Sequence, residues 1–142
     1  MKKKKSKLQK KIDDVGSSFW RNKSDKLWKE LVFRKWDSQC AICHEKNWVQ
    51  AHHAIPCNMH SHRHIINNGI CLCAKHHRFS FELSPHKAPI AFAKWMIKNH
   101  PELWNWLLEQ EPNHLEVNYK EVYLSLEKLL IMVWLILALT VQ

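Results

Sequence analysis

Metal-ligand spacing constrains this chain more than any other feature of its sequence. The run from 40 to 77 reads C-A-I-C at 40–43, A-H-H at 51–53 and N-N-G-I-C-L-C-A-K-H-H at 67–77. Cysteines and histidines recur there at the short intervals that let one backbone turn bring two donors to a single ion. Two patterns are interleaved. One can close a structural site, and the other can hold an open, reactive metal beside a base.

Cys40 and Cys43, together with Cys73 and His76, supply four soft donors in two knuckles. Zinc takes such donors in a closed tetrahedron, and the two-residue spacers suit it. One Cys-x2-Cys pair carries little weight alone, whereas two correctly spaced pairs carry much more. A zinc site of this kind contributes roughly 10 kcal/mol or more to folding. That contribution matters where the intervening segment is too short to build a large core. Cys57 and Cys71 remain and are read as small buried or loop residues. Cys71 shares a strand face with Cys73, so it is an alternative ligand of less usual spacing.

The 142 residues suit one domain, or one small domain with extensions. The formal charge of +9 is unevenly distributed: residues 1–80 hold 17 Lys/Arg against 6 Asp/Glu, and 81–142 hold 5 against 7. The asymmetry survives removal of the lysine run at 2–5. The half that carries the motifs is therefore the half that attracts a polyanion such as nucleic acid. Five cysteines make an odd number, and the basic start runs into polar residues with no apolar leader core. A reducing compartment, with thiolates free to bind metal, fits this composition.

Along the chain, residues 1–18 read as a basic, disordered arm. Leu27, Trp28, Leu31 and Val32 give an apolar helical face over 24–36, with Ser24 as its N-cap. Residues 48–55 and 69–72 suit two short strands, separated by a polar, histidine-rich loop, and 74–81 suits a helix carrying the last ligands. After residue 83, Pro85, Pro89 and Pro101 mark helix starts. Phe92, Trp95 and Met96, then Trp104, Leu107 and Leu108, point inward. Tyr119, Val122, Tyr123, Leu126 and Leu130 repeat at helical spacing and are assigned to packing. Residues 129–141 carry no charge and are short of the roughly twenty residues of an ordinary span. A buried helix, an oligomer contact and a weak membrane anchor are the alternatives. A packing or partner helix is favoured, and no membrane partner is expected.

Once zinc takes Cys73 and His76, the residues His52, His53, Asn68 and His77 form the second pattern. With the strings A-H-H-A-I-P at 51–56 and N-N-G-I-C-L-C-A-K-H-H-R-F at 67–79, and the upstream cysteine pair, the chain resembles the HNH endonucleases. These are the ββα-metal nucleases, and the likeness is to their phage-type members with a zinc knuckle. The string S-P-H-K-A-P-I-A-F-A-K-W at 84–95 is similar to the helical extension of those members. The resemblance covers residues 24–110. It implies an α+β fold built on a small ββα-metal module with a Cys3His zinc knuckle, flanked by N- and C-terminal helices. Its divisions are an arm at 1–18, the module with its preceding helix at 19–83, a helical extension at 84–128 and an apolar tail helix at 129–142.

What the resemblance implies chemically is metal-dependent hydrolysis of DNA phosphodiester bonds, in the cytoplasm of a bacterial or phage-infected cell. His53 is the general base, because a neutral imidazole can accept a proton at physiological pH. Adjacent strand residues face opposite ways, so His52 takes another role: with His77 it is expected to bind the catalytic ion. Asn68 is carried over as an orienter of the loop holding His53. Some family members add a ligand one helical turn later, where this chain has Phe81, which cannot ligate. Glu82 or water completes the shell, or two protein ligands suffice, and Mg2+ or Mn2+ is compatible with so few. Arg63, Lys75 and Arg78 are candidates to clamp DNA phosphates. His60, His62 and His64 are read as solvated or phosphate-facing. No small-molecule cofactor is expected. The rival reading is a non-catalytic zinc finger that binds nucleic acid.

Overall fold

Two long amphipathic segments establish the scaffold of this protein, whose computed structural model describes residues 4–140. Helix α2, Ser18–Lys35, buries Trp28, Leu31 and Val32 on one side. Helix α5, Tyr119–Thr140, lays Val122, Leu126 and Leu130 against that stripe. The two run in the same direction. Ser24 Oγ donates to the Tyr119 carbonyl at 3.2 Å near one end, and the Arg34 guanidinium lies 4.2 Å from the Trp134 ring near the other. Ser24 is therefore a buried mid-helix residue, not the expected N-cap. Ser17 occupies the cap position, and the helix begins six residues earlier than its apolar face does. The extra turn is held by contacts the apolar pattern does not register, Trp20 Nε1–H to the Ile12 carbonyl at 2.9 Å and Ser17 Oγ–H to the Lys11 carbonyl at 2.6 Å.

Those same bonds correct the reading of 1–18 as a disordered arm. Lys7–Asp13 forms helix α1, capped by Ser6 and docked on the start of α2. Residues 1–3 of that arm lie outside the described residues.

Strands β1, Val49–His53, and β2, Gly69–Cys73, pair antiparallel, with His53 opposite Gly69 and Val49 opposite Cys73. Directly opposed residues share a face. One face carries Gln50, His52, Ile70 and Leu72 toward α3, Pro89–Asn99, where Phe92 and Met96 join the core. The other carries Ala51, His53 and Gly69 toward α2. The hairpin is thus a middle layer, and all five residues of β2 are buried. Gly69 is required there because α2 crosses so closely: a Cβ would overlap the Val32 side chain and sit 3.0 Å from the Trp28 ring.

The expected helix over 74–81 is one five-residue π-helical turn, Lys75–Phe79, closed by the Ser80 N–H to the Lys75 carbonyl at 2.8 Å. Helix α4, Pro101–Leu108, follows α3 directly and packs Leu103, Trp104 and Leu107 on the core. Leu108 is exposed, contrary to expectation: it is the last residue of the helix, and Leu107 beside it takes the core position. Helix α5 runs unbroken across the expected boundary at 129, since no breaker interrupts it. Residues 141–142 of the tail lie outside the described residues.

Candidate metal centres

The knuckle at 40–43 forms because the chain reverses tightly and is pinned at both ends. His44 N–H bonds the Cys40 carbonyl at 2.9 Å with His44 in the left-handed region (φ 59°), and Ala41 N–H bonds the Cys71 carbonyl at 2.8 Å. This brings Cys40 and Cys43 over the end of β2, where Cys73 and His76 meet them. Cys43 Sγ lies 3.8 Å from Cys73 Sγ, and His76 Nδ1 lies 3.3 Å from Cys73 Sγ and 3.7 Å from Cys40 Sγ. A tetrahedral zinc with Zn–S of about 2.3 Å and Zn–N of about 2.05 Å requires S···S edges of about 3.8 Å and S···N edges of about 3.6 Å. The donor set fits zinc in type, number and spacing. Burial raises the Cys40 thiol pKa, but backbone amides of Cys73, Cys43 and Ile42 outweigh it and leave the pKa lowered. Burial pushes the Cys43 thiol up to about 11, so that thiolate would need the ion itself. His76 is held neutral by burial and then by the nearby charge of Lys75.

A second cluster forms around the other histidine of the π turn. His52, His77 and His86 bring one ring nitrogen each to within 4.8 Å of the others. His52 Nδ1 is 3.1 Å and His86 Nε2 is 3.3 Å from His77 Nε2. The edges expected for nitrogens about 2.1 Å from one ion run from about 3.0 Å in an octahedron to about 3.4 Å in a tetrahedron. His77 Nδ1–H donates to Gln50 Oε1 at 2.6 Å, which leaves Nε2 with its lone pair facing the other two rings. A single lone pair cannot satisfy two imidazole donors well, whereas one cation satisfies three lone pairs. Burial, followed by the proximity of His77 and His86, pushes His52 down to about 3. Burial and then His86 push His77 down to about 4. Both rings are therefore neutral and available as ligands at physiological pH. Adjacent His76 and His77 thus belong to different clusters, as the spacing requires.

The third nitrogen is the residue that the spacing argument misses. His86 sits in the turn before α3, held by Ser84, whose Oγ donates to the Ser80 carbonyl at 2.8 Å and accepts from Lys87 N–H at 3.1 Å. Its position beside Pro85 was the available sequence signal, but nine residues separate it from His77. Glu82, the carboxylate considered for this role, is not in the cluster.

His53 points to the other face of β1. Its ring stacks on Trp28 with centroids 3.9 Å apart and planes 7° apart, and Nε2–H donates to the Arg63 carbonyl at 2.9 Å. That bond leaves the lone pair on Nδ1. Burial lowers the His53 pKa, partly offset by the Arg63 carbonyl, so the ring is neutral. Asn68, fully buried, accepts from Ile55 N–H at 2.6 Å and donates to the carbonyls of Ile55 and His62 at 3.0 and 2.9 Å. It pins both ends of the loop that leaves His53.

Arg63 does not stand free for phosphate. Its guanidinium forms a forked pair with Asp25 at 2.8 and 2.9 Å and also bonds the Cys57 carbonyl. Asp25 attracts it across 38 residues of sequence, and a partly buried carboxylate holds an arginine strongly. Burial would raise the Asp25 pKa, yet the bonds from His64 and Arg63 drive it far below the usual range. Lys75 and Arg78 are exposed on the π turn and form no ion pair among the described residues. Of the loop histidines, His62 bonds Ser61 and Gln110, and His64 bonds Asp25, so these two hold structure.

The arrangement defines a small α+β protein with a Cys3His cluster able to hold an ion such as zinc and a three-histidine cluster whose His86 is exposed. Compared with protein-family models, curated proteins and solved structures, the chain matches none.

Proposed function

We propose that this chain is an HNH-type endonuclease, a metal-dependent enzyme that hydrolyses DNA phosphodiester bonds in a reducing cytoplasm. The observation that carries the reading is the division of labour at His52 and His53. One ring joins a convergent nitrogen trio, and its neighbour is a neutral imidazole with a fixed tautomer.

A divalent ion held by His52, His77 and His86 would supply Lewis acidity at the scissile phosphate. An all-imidazole set favours zinc, nickel or another transition ion over Mg2+, which prefers oxygen ligands. The chain's own residues do the rest. His53 Nδ1 accepts a proton from water, while its Nε2–H stays on the Arg63 carbonyl and keeps the ring oriented. Arg63 is therefore a positioning residue: its pair with Asp25 ties that carbonyl to α2. Asn68 fixes the intervening loop, and Lys75 and Arg78, both exposed, would bind backbone phosphates.

A plasmid-nicking assay with zinc, nickel, cobalt, manganese and magnesium tests this. His53→Ala should lower cleavage by about 10²–10⁴-fold with zinc content and DNA affinity unchanged. His86→Ala should weaken the response to added metal. Undiminished cleavage by His53→Ala overturns the assignment. The stacking of His53 on Trp28 favours one rival, a zinc-stabilised nucleic-acid-binding module in which His53 only packs. That reading predicts DNA binding without nicking under every ion.

A further inference from the structure

The exposed end of α5 is apolar on every side. Met132, Trp134, Leu135, Ile136, Leu137 and Leu139 are all exposed, between 45% and 75%. At about 100° per residue they leave no arc of the helix wider than about 100° without an apolar side chain. A protein partner, including a second copy of this chain, covers one side of such a helix and leaves the rest in water. Only an environment that surrounds the helix satisfies all of these residues.

Position and charge indicate which environment. α5 lies along α2 as far as Trp134, where the Arg34 guanidinium, which also bonds the exposed Glu30 carboxylate at 2.7 Å, stacks on its ring. Residues 135–140 extend about 9 Å past that contact, comparable to the depth at which interfacial helices seat their apolar faces. Tryptophan and arginine at the base of an apolar tip match the headgroup layer, where an amphipathic ring and a cation meet lipid phosphates. Lys128 precedes the uncharged stretch directly, and the whole chain carries +9. We infer that the end of α5 inserts into the acyl region of an anionic lipid surface, with Arg34, Lys128 and Trp134 at the headgroups. This inference is independent of the nuclease reading.

Flotation of the full, zinc-loaded chain with vesicles of phosphatidylcholine alone and of phosphatidylcholine with phosphatidylserine tests it. The wild type should float with the anionic vesicles and much less with the neutral ones. Leu135→Lys/Leu139→Lys, at two exposed sites, should abolish flotation while circular dichroism and zinc content remain wild type. Arg34→Gln and Lys128→Gln should each weaken binding about fivefold. Flotation indifferent to phosphatidylserine, or unaffected by the double lysine substitution, overturns the inference. So does a vesicle-free dimer that fails to float and becomes monomeric when Leu135 and Leu139 are changed to lysine, since the helix is then a protein interface.

Discussion

Replacing Asn68 by alanine removes three buried hydrogen bonds at once, and the cost follows from the partners left behind. The Ile55 N–H loses its acceptor at 2.6 Å, and the carbonyls of Ile55 and His62 lose donors at 3.0 and 2.9 Å. Asn68 is fully buried, so water does not readily replace the amide. Each bond is worth about 1 kcal/mol net, and an orphaned buried N–H adds a desolvation penalty of about 1–3 kcal/mol. The Ala54 N–H to the Asn68 backbone carbonyl survives the substitution, which limits the damage to the loop. The expected loss is therefore about 3–5 kcal/mol, a large share of a typical domain's stability. At roughly 2–4 °C per kcal/mol for a chain of this size, the midpoint of thermal unfolding should drop by about 10 °C. The assay is thermal and urea denaturation at fixed free zinc, paired with hydrogen exchange at Ile55. A loss below about 1 kcal/mol would show that the loop is not held by this amide. Unchanged exchange at Ile55 would refute the bonding pattern itself.

Two further outcomes test the clusters. Cys43 and Cys57 are both exposed, so burial shields neither, yet a thiol reagent should modify only Cys57 quickly in the zinc-loaded protein. Rapid modification of Cys43 before chelation would rule out its ligation. The lowered pKa values of His52 and His77, about 3 and about 4, make the folded state bind fewer protons than the unfolded one, whose histidines titrate near 6.5. Their contribution is complete above about pH 6.5 and is lost as pH falls toward about 4. At fixed zinc, the urea midpoint of the wild type should therefore fall faster over that window than that of His52→Gln/His77→Gln. Parallel curves would refute the burial of two neutral imidazoles.

Much of the metal chemistry was legible in the chain because it is local. A two-residue spacer fixes how far apart two donors can be, so Cys40 with Cys43, and Cys73 with His76, declare their cluster before any folding. Strand alternation likewise separates His52 from His53 without reference to the rest of the molecule. Asn68 was marked as a loop anchor only by the family resemblance, and its buried amide does bond both ends of that loop. The long helices followed from apolar periodicity, but their ends did not. Ser24 looked like a cap only because the polar first turn of α2 is held by α1, through bonds to backbone carbonyls that carry no hydropathic signal.

Amino-acid order alone determined the donor types, their pairing into knuckles and the opposing faces of the hairpin, since covalent spacing and the strand period set these distances. Tertiary structure alone decided which distant groups meet. His86 completes the nitrogen trio because α3 packs Phe92 and Met96 on the hairpin and carries its preceding turn to His77. Arg63 turns from phosphate to Asp25 because α2 presents a partly buried carboxylate at that point. The end of α5 stays uncovered because α2 stops alongside it, and a count of apolar residues cannot show what lies next to them.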